Sequence, residues 1–119
     1  MKDTKVASVQ FEHAPGDKQA NLDKVRLFTA EAAGQGAELA VCPEMCVTGY
    51  WFLRDLSRAE LDALAEPIPD GPTTRELLRL AQEHEISVGA GFLERSEGGD
   101  LFNSYVVAMP DGSLSLIHI

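Results

Sequence analysis

Basic residues are in short supply in this chain. Ten Lys and Arg stand against nineteen Asp and Glu, a formal net charge of −9 at pH 7. A surface this acidic is repelled by phosphate backbones and by anionic lipid, which argues against nucleic-acid partners and membrane-surface roles. Long apolar runs are missing too, and those present fall well short of a bilayer-spanning helix. The N-terminal stretch MKDTKVASVQF has no apolar core ahead of a small-residue cleavage site, so no secretion signal is read there. Cysteine occurs twice, at Cys42 and Cys46, too close together for a disulfide framework. Reduced thiols in a cytoplasmic protein are the expectation.

Several motifs are absent as well. There is no G-x-S-x-G, which excludes a serine-hydrolase elbow of the usual kind. Gly89-Ala90-Gly91 has no third glycine and no helix after it, which argues against a dinucleotide loop. His13, His84 and His118 are scattered without ligand spacing, and Cys42 and Cys46 have no His or Cys partner nearby to complete a zinc site. No metal and no cofactor are therefore expected. Cys42 reads as a small buried hydrophobe, and Cys46 as structural in the same way.

What is present is an ordinary globular composition, 45% apolar and 24% charged over 119 residues. That suits one compact domain or one piece of a larger one. Residues 5–11 are Val-rich and read as a strand. From Asp17 to about Ala33 the apolar residues Leu22, Val25, Phe28 and Ala32 recur at helical spacing, and Gly34 and Gly36 close the helix. Residues 38–42 form a short apolar run between Gly36 and Pro43, a second and buried strand. Ser57 and Glu60 have capping-box spacing and open a helix to about Glu66; Thr73 and Glu76 repeat that spacing for a helix to about His84. Strands follow at 86–92, 101–109 and from Ser113 onward, with turns at Ser96–Asp100 and Pro110-Asp111-Gly112. The order β-α-β-α-α-β-β-β predicts an α/β fold, a mixed sheet with flanking helices. The first, second and third strands should share the sheet, with the 17–33 helix on its face.

Glu44 is the chemical candidate. It follows Pro43 directly, one residue beyond the carboxyl end of a predicted parallel strand, where open α/β sheets bind ligands. A carboxylate held there can serve as a general base. The plainer reading is an exposed loop glutamate.

The string CPEMCVTGY after a β-α-β start resembles the first catalytic segment of the nitrilase superfamily, the carbon–nitrogen hydrolases. The likeness runs through VASVQF, NLDKV, GAELAVCPE, the Pro-Asp-Gly-Pro-Thr connector, ISVGAGFLER and LFNSYVVAMPDGSL. It implies an αββα sandwich, homo-oligomers formed through helices, and a Glu-Lys-Cys triad cleaving nonpeptide C–N bonds of small amide, carbamoyl or nitrile substrates. Glu44 matches the triad's Glu. Tyr50 matches the aromatic after Thr-Gly, near the substrate pocket; a packing tyrosine is the alternative. The Lys expected after the Asp-Gly turn is missing from Leu114–Ile119, and neither cysteine matches the nucleophile. On this resemblance residues 1–119 are a hydrolase domain incomplete at its C-terminus, with its last residues as a foreign tail. The rival reading is a non-catalytic binding or assembly subunit that keeps the fold.

Overall fold

A computed structural model describes residues 2–119. Five strands form one sheet in the order β1 (Val6–Ser8), β2 (Leu39–Val41), β3 (Ser87–Arg95), β4 (Leu101–Ala108), β5 (Leu114–His118). β1, β2 and β3 run parallel, while β3, β4 and β5 are antiparallel. The mixed α/β sheet expected from the sequence is therefore present. Its first two strands are shorter than predicted. β1 lies at the sheet edge with β2 as its only neighbour, and Pro43, with no N–H, stops β2. On one face of the sheet Ala40, Val88, Ala90, Phe92, Val106 and Ala108 are all buried.

Helix α1 (Lys18–Gly34) packs there through Leu22, Val25 and Ala32, with Phe28 half-buried beside them. The Asp17 side chain caps it by accepting from the Ala20 N–H at 3.0 Å. At the other end the Gly36 and Ala37 N–H groups donate to the Ala33 and Ala32 carbonyls, both at 3.0 Å, a Schellman closure.

Helix α2 (Arg58–Leu64) has the predicted capping box. The Glu60 N–H donates to Ser57 Oγ and the Ser57 N–H to Glu60 Oε1, each at 3.1 Å. It ends earlier than expected, because Glu66 leaves the helix to bridge β3 at Glu94. Helix α3 (Pro72–His84) corrects a second expectation. Its N-cap is Gly71 with Pro72 in the first turn, so Thr73 lies inside the helix and forms no capping box with Glu76. The buried Glu66 carboxylate takes over that role, accepting from the Thr73 N–H at 2.8 Å and Thr73 Oγ1 at 2.6 Å, with Lys18 Nζ at 2.9 Å. A carboxylate at a helix N-terminus satisfies free N–H groups and opposes the helix dipole. Among the described residues, no helix is long and apolar enough to cross a membrane.

Candidate active site

The chain leaves β2 at Val41 and turns through residues 43–50 at the carboxyl end of the parallel strands. Backbone bonds lock this turn onto β3: the Cys42 N–H donates to the Gly89 carbonyl at 2.8 Å and the Val47 N–H to the Gly91 carbonyl at 3.1 Å. Gly91 is required for that closeness. A Cβ on it would overlap the Met45 backbone nitrogen and lie 3.2 Å from Glu44 Cα. The Gly-Ala-Gly of β3 is thus a seat for the turn. Buried Asn21 on α1 fastens the far side, its amide donating to the carbonyls of Val47 at 2.9 Å and Ala14 at 2.8 Å. Met45 sits in the left-handed region at φ 53, a conformation rare for a residue with a side chain and directly next to Glu44.

On this rigid turn Glu44 is exposed, with its carboxylate over β4. Asn103 Nδ2 donates to Glu44 Oε1 at 2.6 Å. The Glu44 carboxylate lies beside Tyr50 and raises the tyrosine's pKa above its ordinary value of 10.0, chiefly through a hydrogen bond to the phenol. Tyr50 is 40% exposed and stacks on Trp51 with ring centroids 5.3 Å apart. Tyr105 on β4 reaches across β3 and donates from its hydroxyl to the Cys42 carbonyl at 2.7 Å, pinning the end of β2. Burial pushes the Tyr105 phenol well above its usual value.

The cysteines take no part in this surface. Both are free and buried. Burial pushes the Cys42 thiol up to about 12, with the nearby Cys46 adding to it. Burial likewise drives the Cys46 thiol up to about 11, against small opposing backbone hydrogen bonds. Buried and held protonated near neutral pH, neither thiol offers a thiolate to this surface.

A family model described as carbon-nitrogen hydrolase matches residues 5–118, almost the whole chain. The chain belongs to that family. Among curated relatives it is 38% identical over 108 residues to a nitrilase of Pyrococcus abyssi, an alignment covering 91% of this chain and 40% of the relative. It is 33% identical over 120 residues to an omega-amidase of Danio rerio, covering 99% and 40%. A crystal structure of a CN-hydrolase superfamily protein from Xanthomonas campestris superposes with TM-score 0.82 at 28% identity, covering 99% of this chain and 41% of that one. The chain thus spans 40% of the length of each of these two curated relatives.

Within this carbon-nitrogen hydrolase fold, the two residues singled out from sequence, Glu44 and Tyr50, come together at one place. Three residues that hold the turn were not singled out. Asn103 and Tyr105 come from β4, and Asn21 from α1, each far along the chain from what it contacts. Their only sequence trace is that a polar side chain interrupts an apolar pattern, as Asn103 does in LFNSYVVA. No hydrogen bond joins His13, His84 or His118 to Glu44 among the described residues, although His13 lies against Gly49 of the same turn. His118 pairs instead with buried Glu94 at 2.7 Å, and Ser104 Oγ donates to the same carboxylate oxygen at 2.6 Å.

Proposed function

We propose that the protein containing this chain hydrolyses nonpeptide C–N bonds of small amides, carbamoyl amines or nitriles, with Glu44 as general base. One observation carries the proposal: an exposed carboxylate, oriented by Asn103, stands on a locked turn beyond the parallel strand ends of a carbon-nitrogen hydrolase chain. For an amide, Glu44 takes the proton of a cysteine thiol, and the thiolate sulfur bonds to the carbonyl carbon. The C–N bond then breaks, and the proton passes to the departing nitrogen as ammonia leaves. Water next gives a proton to Glu44 while its oxygen displaces sulfur, which releases the acid and restores the thiol. The nucleophile and an oxyanion-stabilising lysine come from outside residues 1–119. Nitrilases and amidases among the relatives support both substrate classes. A homo-oligomer belongs to the same reading on the family resemblance, and a cytoplasmic setting on the two free thiols.

The rival reading, a non-catalytic subunit, is favoured by one feature: residues 113–119 hold no lysine after the Asp111-Gly112 turn. Glu44→Gln in the full-length protein separates the two. The amide keeps size and can accept the Asn103 hydrogen bond but cannot take a proton. Turnover is expected to fall at least 10²–10⁴-fold, roughly the contribution of a positioned base, with circular dichroism and melting unchanged. Near-normal turnover by a folded Gln variant removes Glu44 from the mechanism; no turnover by the parent on any of the three substrate types favours the subunit reading.

A further inference from the structure

Gly89 and Gly91 lie two residues apart on β3 and so share one face of the sheet. Gly91 seats the turn that carries Glu44. Gly89 has another use. Its φ is not positive, so its conformation is open to any residue. A glycine inside a strand weakens it, and marks a place where another group comes close. That group is the Tyr105 ring. A Cβ on Gly89 would lie 2.8 Å from Tyr105 Oη and 2.9 Å from Cε1. The missing side chain gives the phenol its path across β3 to the Cys42 carbonyl, 2.7 Å away.

That carbonyl is a singular handle. Pro43 has no N–H, so the Cys42–Pro43 peptide has its carbonyl as its one hydrogen-bonding group. Glu44 is the next residue. Asn103, two residues before Tyr105 on the same face of β4, donates to the Glu44 carboxylate at 2.6 Å. β4 thus holds Glu44 from both sides, through the backbone that leads to it and through its carboxylate. We infer that Tyr105 is a positioning residue for the reaction: its hydroxyl fixes the Cys42–Pro43 peptide and thereby the reach of the Glu44 carboxylate, and Gly89 is what admits it. The effect on turnover rests on the hydrolase reading, whereas the anchoring is a property of the turn alone. The open groove of about 460 Å³ beside Glu44 is lined by Tyr50 and Asn103 but not by Tyr105. Loss of the hydroxyl should therefore misplace the base without removing a contact in that groove, and show in kcat with KM unchanged.

The test is Tyr105→Phe and Gly89→Ala in the full-length protein. The first removes only the hydroxyl. The second leaves Tyr105 intact but displaces the far end of its side chain, at little cost to the strand. Each is expected to lower kcat about 3- to 10-fold, the span of a hydrogen bond between neutral groups, with KM and circular dichroism unchanged. The two combined should lose no more than either alone, and neither should lower further the residual turnover of Glu44→Gln, a result that a merely structural tyrosine would not give. Amide exchange reads the anchoring without turnover. The Val47 N–H, bonded to the Gly91 carbonyl, should exchange about 3- to 10-fold faster in both variants. Unchanged kcat in either variant of an active parent, a loss carried by KM, additivity with Glu44→Gln, or unchanged exchange overturns the inference. Faster exchange in variants of a parent that turns over no amide, carbamoyl amine or nitrile supports the anchoring and removes the hydrolase reading.

Discussion

At Asn103 an amide holds the Glu44 carboxylate from the β4 side, with the Tyr50 phenol beside it. Its Nδ2 donates at 2.6 Å to Oε1, and the turn beneath, seated on Gly91, fixes the backbone. A base acts only from the correct position, so loss of the donor should cost activity without removing the base. Asn103→Ala in the full-length protein is expected to lower kcat/KM about 10- to 100-fold, the scale of a hydrogen bond to a charged group. The decisive measurement is the double variant with Glu44→Gln. If Asn103 acts through Glu44, the second substitution should add little to the first; full additivity would show an independent role. The contrast between these two residues also shows what sequence conveys at this scale. Glu44 is legible because Pro43 ends an apolar run immediately before it, a purely local signal. Asn103 is 59 residues away and reaches Glu44 only through the β3–β4 register, which no local pattern encodes. Cys42 and Cys46 read as structural because no His or Cys partner lies near them in sequence; the structure buries Cys42 just past β2 and Cys46 in the turn that follows.

Among the elements, α1 and α3 are joined by charge as well as by packing. Arg26 on α1 and Arg79 on α3 both bond Glu76 Oε1, at 2.8 and 2.7 Å. The Arg79 hydrogen bond, with Arg26 adding to it against the effect of burial, pulls the Glu76 carboxyl from 4.5 down to about 2. A carboxyl lowered on folding stabilises the protein above its unfolded pKa, and that contribution disappears as pH falls through the folded value. Glu76→Gln is therefore expected to melt a few degrees below the parent at neutral pH. The gap should shrink as pH drops from about 4.5 toward about 2, the interval between the two pKa values. Both arginines are substantially exposed, so the effect is screened, and added salt should narrow the gap at neutral pH too. A gap independent of pH and salt would assign it to packing. The same helix shows why the element order was readable while one of its caps was not. Apolar spacing through Leu77, Leu80 and Ala81 marks α3. Its start is decided by Gly71-Pro72, and by Glu66 arriving from another element, which leaves Thr73 unavailable as a cap.

On the scale of the molecule, one face of the sheet is covered along its whole width, while on the other Met45, Ala65, Leu53 and Leu61 cover only the end of β3 at Leu93. Opposite the helices, Leu39, Val41, Tyr105 and Val107 are half-buried, and Val6 and Ile117 are 52% and 55% exposed. Their common face follows from the strand register, in which Val6 pairs Leu39 and Ile117 pairs Tyr105. β1 and β5 also present free edges. An apolar face and open edges of this kind favour association. An αββα sandwich, which the family resemblance implies, would set a second sheet on this face; the β-α-β pattern is readable from local periodicity, whereas no local pattern in residues 1–119 carries such a layer. An isolated chain of residues 1–119 is accordingly expected to self-associate, and light scattering after size exclusion will show it. The same chain is expected to release no ammonia from amides, carbamoyl amines or nitriles. It has the base on its turn, but its two thiols are buried and held protonated, at about 12 for Cys42 and about 11 for Cys46. A base without its nucleophile retains little of the covalent route, because such residues act as a unit. A monodisperse monomer that hydrolyses any of these compounds would refute both halves of the expectation. If Cys46→Ser then abolished that activity, the buried thiol beside Glu44 would have to open to solvent during turnover.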